Sequence, residues 1–318
     1  MARNKEMSRR DLLKAGMFSG GALSLSGLLT FMQFRQADAQ DNGPLKAAMS
    51  SAGLAGTWNA QGQEAALAWA KLFGVEVTWF DGQFDAEKQR SAVDQMATQT
   101  WDFAAIQPNT IGTLVDPVTA MIEAGTPFID MDTLIAPFEQ MKQIGVLNFC
   151  APDNSFMSQS VVTKLVQKMG GKGTIAHIGG QPGHTGAQAR QQGMLNVLKD
   201  FPDVQLVDDQ PGNWDLATAA ALTESFLNRF PDLNAIFADN DDMALSARQV
   251  VENAGMQDQV LIGGVDAMPP AIQAVASGKL VGTARNSANR IHGWAVVIGA
   301  YAATVGLEQA RKDVPFFI

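Results

Sequence analysis

The sequence predicts a doubly wound α/β protein with two parallel sheets, and three features carry that expectation. Short apolar, β-branched runs alternate with longer stretches of helical spacing, which is the signature of βα units. The short runs are apolar almost throughout, as strands covered on both faces must be. About nine such runs are too many for one small sheet, and 318 residues, 46% of them hydrophobic and 17% charged, give room for about two domains.

Taken in order, the elements begin with a leader. Ser8-Arg9-Arg10-Asp11-Leu12-Leu13-Lys14 is followed by a weakly apolar, Gly-rich run from Ala15 to Met32 and by the small-residue site Ala37-Asp38-Ala39. This order reads as a secretory signal peptide over 1–39, outside the fold, and the paired arginines resemble a twin-arginine (Tat) signal. The apolar run falls short of the ~20 strongly apolar residues that a membrane span needs. Cleavage after Ala39 removes six of the 23 basic and three of the 32 acidic residues, leaving a net charge of −12. Strands are expected at Val75–Phe80, Phe103–Ile106, Pro127–Met131, Val146–Phe149, Thr174–Ile178, Val204–Val207, Ala235–Ala238, Val260–Gly264 and Leu280–Ala284. Between them, Glu64–Phe73 is expected to bury Ala65, Leu67, Ala68 and Leu72, and Leu216–Phe230 to bury Leu222, Phe226, Leu227 and Phe230.

Composition excludes several functions. The formal charge of −9 argues against a nucleic-acid or anionic-membrane surface. With one cysteine, Cys150, and scattered His177, His184 and His292, neither a disulfide nor a metal site is expected. No H-E-x-x-H cluster, G-x-S-x-G elbow or G-x-G-x-x-G loop occurs, and Gly180 to Gly186 has the wrong spacing for the last. No catalytic residue and no cofactor are therefore expected.

Parallel α/β sheets bind ligands beyond the carboxyl ends of their strands. There the chain collects Asp130-Met131-Asp132-Thr133, Asp153-Asn154, Asp208-Asp209, Asn213-Trp214-Asp215, Asp239-Asn240-Asp241-Asp242, Asp266 and Arg285-Asn286. Asp and Asn also cap helices, and Asp208, Asp209, Asp241 and Asp242 are assigned that role first. The remainder suits a polyhydroxylated neutral molecule, whose hydroxyls both donate and accept, with Trp58 and Trp214 as flat surfaces for its C–H faces or, alternatively, as core residues.

From Pro44 to about Pro315 the chain resembles the type I periplasmic sugar-binding proteins, the ribose-binding-like group that feeds ABC importers. The residues that carry the likeness are Ala189-Arg190-Gln191-Gln192-Gly193-Met194, Phe230 to Ala244, and Gly263-Gly264-Val265-Asp266. The resemblance implies two Rossmann-like lobes joined by a multi-strand hinge, 44–152 plus 287–315 and 153–286 plus 316–318, closing over one monosaccharide or sugar alcohol. It implies Asp132, Arg190, Trp214, Asn240, Asp266 and Asn286 as ligand residues, with Trp58 and Asn59 supplying the first lobe's aromatic contact. On this reading Asn240 meets the sugar while Asp239, Asp241 and Asp242 cap the helix. Further implications are a periplasmic monomer exported by the Tat route, with an ABC permease as partner. Thr133 replaces an expected arginine, Met194 an expected phenylalanine, and Arg285 stands beside Asn286, which puts ribose itself in doubt. The first-strand region Leu45–Ser50 matches poorly, and the chain stops at Phe316-Phe317-Ile318, short of the last hinge crossing. A sensor for a membrane receptor, a secreted α/β enzyme and the effector half of a repressor remain as alternatives.

Overall fold

A computed structural model describes residues 25–318. The SRRDLLK motif and the start of the expected leader lie outside the described residues. Among the described residues ten strands form two parallel five-stranded sheets. The first contains β1 (Leu45–Ser51), β2 (Val75–Asp81), β3 (Phe103–Ile106), β4 (Phe128–Met131) and β5 (Asn148–Cys150), in the order β2-β1-β3-β4-β5. The second contains β6 (Gly173–Gly179), β7 (Val204–Pro211), β8 (Ala235–Ala238), β9 (Leu261–Asp266) and β10 (Gly282–Arg285), in the order β7-β6-β8-β9-β10. Each sheet thus repeats one strand order. The strand absent from the apolar runs, though named as the first-strand region by the resemblance, is β1, which lies between β2 and β3 and carries the small and polar run Lys46-Ala47-Ala48-Met49-Ser50 rather than β-branched residues.

The chain divides into two compact units, one of residues up to 54 with 61–151 and 288–318, the other of 55–60 with 152–287. Two expectations about the lobes change. Trp58 and Asn59 belong to the second unit rather than the first. Residues 316–318 belong to the first: Phe149 N donates to Phe316 O at 2.7 Å, Ile318 N to Phe149 O at 3.1 Å, and Phe317 bridges Phe149 in parallel.

In the first unit the inner face of the sheet, with Ala48, Ala104, Ile106 and Phe128, packs against Val93 and Met96 of α3 (Ala86–Ala97) and Val118 and Met121 of α4 (Val115–Glu123). On the other face lies α11 (Ala288–Val305), where Gly299 brings the helix against the Phe103 ring with no room for a Cβ. α2 (Thr57–Leu72) buries Gly62, Ala66 and Ala70, and Phe73 beyond its end, while Leu67 and Leu72 stay exposed, so the expected apolar face is corrected. Close approach decides the face: a Cβ on Gly62 would collide with the His292 ring, and a leucine there could not fit.

α1 (Leu25–Asn42) also differs from expectation. The sequence places the leader outside the fold, whereas Phe31 is fully buried against Phe73 at 5.5 Å and Tyr301 at 5.8 Å. Arg35 is buried as well, donating to Gly74 O at 3.5 Å and pairing with Asp38. No helix among the described residues is long and apolar enough to cross a membrane.

In the second unit, alternation splits the strands between two cores. Ala176, Ile178, Ile236, Ala238 and Ile262 face α8 (Leu216–Arg229), α9 (Asp241–Asn253) and α10 (Pro269–Ala276); Ile175, Ala235, Phe237 and Val265 face α6 (Asn154–Lys168) and α7 (Thr185–Lys199). β7 extends to Pro211 past a register shift at Ile175/Ala176, so Asp208 and Asp209 lie within the strand, not at a helix cap.

Candidate functional site

Backbone strain marks the strand ends. Among the described residues the non-glycine positions with positive φ are Gln83, Phe84, Asp132, Asn213, Trp214, Asp266 and Ala267. They follow β2 and β4 in the first unit and close or follow β7 and β9 in the second, which are the second and fourth strands of each. Such conformations cost about 1–3 kcal/mol each and persist where the surroundings fix them.

In the second unit Arg190, on the first turns of α7, is almost fully buried. Its Nε donates to Asn154 Oδ1 at 2.8 Å, Nη2 to Asp266 Oδ1 at 3.3 Å, and Nη1 to the carbonyl of Asp239. Asn286 Nδ2 donates to the same Asp266 oxygen at 3.3 Å, and Asn286 O accepts from Trp58 Nε1 at 3.0 Å. Asn286 Oδ1 is buried with no hydrogen-bond partner, an uncommon and costly state that a donor from a ligand would relieve. Arg190, Asp266, Asn286 and Trp58 are therefore linked to one another by hydrogen bonds.

Trp214 stands on a turn that a repeated pattern builds. Gly212 N donates to Gly179 O at 2.7 Å, Asp215 N to Gly212 O at 2.9 Å, and Asp215 then caps α8 through Thr218 N. The ring meets the His184 ring edge-on at 5.0 Å and lies 5.7 Å from the Arg190 guanidinium carbon. Gly180 is required beneath it, because a Cβ there would overlap the indole. His184 accepts from Ala187 N at 3.3 Å through Nδ1, and burial, aided by the charge of Arg190, lowers its pKa to about 3 and keeps the ring neutral.

The Asp239–Asp242 run is used differently from expectation. Asn240 itself caps α9, its Oδ1 accepting from Met243 N at 2.9 Å. Asp239 accepts from Gly180 N at 2.8 Å and faces His177 at 3.0 Å. Asp241 is fully buried, accepting from Met268 N at 2.7 Å and Thr283 Oγ1 at 2.6 Å, and burial raises its carboxyl to about 7. Asp242 accepts from Thr57 N and Oγ1 at 3.0 and 2.9 Å. Within the strand, Asp208 pairs with Arg229 and Asp209 with His177. Arg285 is exposed and bonded to Ser287, while Met194 is in the apolar core, so neither joins the buried cluster.

In the first unit Asp132 anchors a cluster of neutral amides. Its Oδ2 accepts from Gln107 Nε2 at 3.0 Å and Thr133 Oγ1 at 3.4 Å. Gln107 Oε1 accepts from Ala52 N at 3.3 Å, and Gln89 Nε2 donates to Gln107 O at 2.8 Å and Ser50 Oγ at 3.2 Å. The sequence reading missed Gln107, as it missed Phe84. Gly82-Gln83-Phe84-Asp85 repeats Gly212-Asn213-Trp214-Asp215, with Gly82 N on Ser51 O at 3.0 Å, Asp85 N on Gly82 O at 2.9 Å, and Gly53 beneath the ring as Gly180 is beneath Trp214. That spacing was available in the sequence. Among the described residues no group of three or more His, Cys, Asp and Glu is placed to hold a metal ion.

The family model described as a periplasmic binding protein domain matches residues 47–307. The D-allose-binding periplasmic protein of Escherichia coli (strain K12) is 30% identical over 226 residues, spanning 69% of this chain and 72% of that protein. A xylitol-binding protein of Mycolicibacterium smegmatis is 28% identical over 224 residues, 70% of this chain and 62% of the relative. Among solved structures, a periplasmic solute-binding protein of an ABC transporter from Actinobacillus succinogenes, with bound D-allose, superposes with a TM-score of 0.76 at 27% identity, covering 86% of this chain and 94% of its own. The arabinose-transporter binding protein of Shewanella, bound to L-arabinofuranose, gives 0.78 at 27% identity, covering 86% and 89%.

Proposed function

This chain belongs to the periplasmic binding protein domain family, and from that premise we propose that it captures a monosaccharide or sugar alcohol and delivers it to an ABC transporter. The observation that carries this reading is the buried Arg190–Asp266–Asn286 cluster, in which Asn286 Oδ1 is without a hydrogen-bond partner and the Arg190 guanidinium lies 5.7 Å from the Trp214 ring. A sugar hydroxyl donates to Asn286 Oδ1 and accepts from Arg190, and the indole covers its C–H face. Names of relatives, D-allose and xylitol among them, support a neutral polyhydroxylated ligand. Trp58, Asn59, Asp132 and the amide nitrogen of Asn240 complete the ligand set on this reading. The family consists of solute-binding proteins, and no catalytic residue or cofactor is assigned here. Export through the twin-arginine route to the periplasm as a monomer completes the proposal.

A ligand of about a dozen heavy atoms, bounded at about 1.5 kcal/mol per atom, reaches micromolar affinity, about 8 kcal/mol, without exceptional contacts. The test is a thermal-shift screen against pentoses, hexoses and polyols, with Asp266→Ala alongside. A ligand that binds the folded state alone raises its melting temperature by mass action. One sugar or polyol should shift the wild type and leave Asp266→Ala unmoved; a shift only with phosphorylated, acidic or amino-acid ligands would overturn the reading.

A further inference from the structure

His177 is a buried ionisable group that the ligand set does not use. Strand alternation places it on the α6/α7 side of β6, stacked on Phe237 at 5.4 Å with the rings nearly parallel. Both ring nitrogens face carboxylates: Nδ1 lies 2.8 Å from Asp209 Oδ1 on β7, and Nε2 lies 3.0 Å from Asp239 Oδ1 after β8. A neutral imidazole carries one N–H and would turn a lone pair on one of these carboxylates, so the geometry calls for the imidazolium. Burial disfavours that charge, but Asp239 and Asp209 outweigh it and raise the pKa to about 9.

The two carboxylates lead straight to the site. Asp239 Oδ2 accepts from Gly180 N at 2.8 Å, fixing the glycine beneath Trp214; its main-chain carbonyl accepts from Arg190; and the next residue is Asn240. Asp209 Oδ2 accepts from Gln191 Nε2 at 2.6 Å, on the same turn of α7 as Arg190. A cavity of about 340 Å³ lies against this edge, lined by His177, Gln188, Gln191 and Asp209 among others.

We propose that His177 is a positioning residue of the ligand site: as a cation clamped between Asp209 and Asp239 it locks the turn after β8, and through it the aim of Arg190 and the floor under Trp214. The proposal rests on the sugar-binding reading for its effect on affinity, but its effect on Arg190 is independent of any ligand. Asp209 and Asp239 are the charged groups that face the ring; Gln191 is neutral, and Arg190 reaches it only through the Asp239 carbonyl.

The experiment follows the Arg190 Nε–H resonance by nitrogen-15 NMR from about pH 7 to about pH 10, assigned by its loss in Arg190→Lys. Calorimetric titration of the sugar or polyol found by thermal shift runs in parallel. The wild-type resonance should move in one step, the step should shift to lower pH in Asp209→Asn, and it should vanish in His177→Gln. Affinity should fall about tenfold across the step, and by the same factor in His177→Gln near neutral pH. An Arg190 resonance indifferent to both pH and His177→Gln overturns the proposal, as does unchanged affinity in that variant. Should His177→Gln not fold, the displaced step in Asp209→Asn decides alone. If no sugar or polyol binds the wild type, the sugar reading falls and the resonance by itself decides whether His177 positions Arg190.

Discussion

The two units share a scaffold and differ in charge. Each has the strand order 2-1-3-4-5, each stores strained residues after its second and fourth strands, and each sets an aromatic ring over a glycine by the same Gly-x-aromatic-Asp turn. Around Asp132 the first unit supplies neutral partners, Gln107 and Thr133, whereas the second surrounds Asp266 with the Arg190 cation and supports it with a histidine held between two aspartates. The backbone fixes where polar groups emerge, while side chains alone decide how strongly each emergence point can bind. The second unit sets a cation against its carboxylate while the first meets its carboxylate with neutral donors, so the second unit should anchor a ligand and the first should discriminate among ligands.

That asymmetry can be broken most directly at Asp266. Asp266→Ala leaves Arg190 buried without its carboxylate, a loss of about 2–5 kcal/mol, and affinity by calorimetry should fall at least about thirtyfold. Next comes pH. The folded His177 pKa of about 9 lies above its unfolded value of about 6.5, so its contribution to stability is complete below about pH 6.5 and disappears as pH rises through about 9. Up to about 3 kcal/mol is at stake. Chemical denaturation of the wild type should therefore weaken over that window and show a flatter profile in His177→Gln. Gly180→Ala and Gly53→Ala probe the shared turn: each forces its ring aside at a cost of about 1–3 kcal/mol, visible as a lowered melting temperature. Affinity should fall further in Gly180→Ala, because Trp214 neighbours Arg190. The smallest effect belongs to Gln107→Ala, about 1 kcal/mol or several-fold in affinity, with a change in rank order among sugars. If Gln107→Ala costs as much as Asp266→Ala, the division between anchoring and discriminating units fails.

The architecture was legible because alternating apolar runs and helical segments leave few solutions. β1 escaped because Ala47-Ala48-Met49 carries no β-branched residue, and its place is won by pairing on both sides. The α2 face was misread because small residues, not leucines, allow the close approach to His292. At the site, residue types at strand ends suggested Asp266 and Asn286 and the family resemblance added Arg190, but single-residue chemistry could not separate Asn240 the helix cap from Asn240 the donor. His177 was passed over as an isolated histidine, since its partners lie 32 and 62 residues away.

Cys150, the one cysteine in the chain, lies in β5 with its thiol buried and pushed up to about 12, chiefly by burial. The thiolate is the reactive form, so this sulfur is close to inert toward alkylating dyes at neutral pH. A single cysteine introduced at exposed Phe156 or Leu216 would then be the only labelled position, and the wild-type chain could be converted into an optical reporter of its ligand without first being stripped of its own thiol.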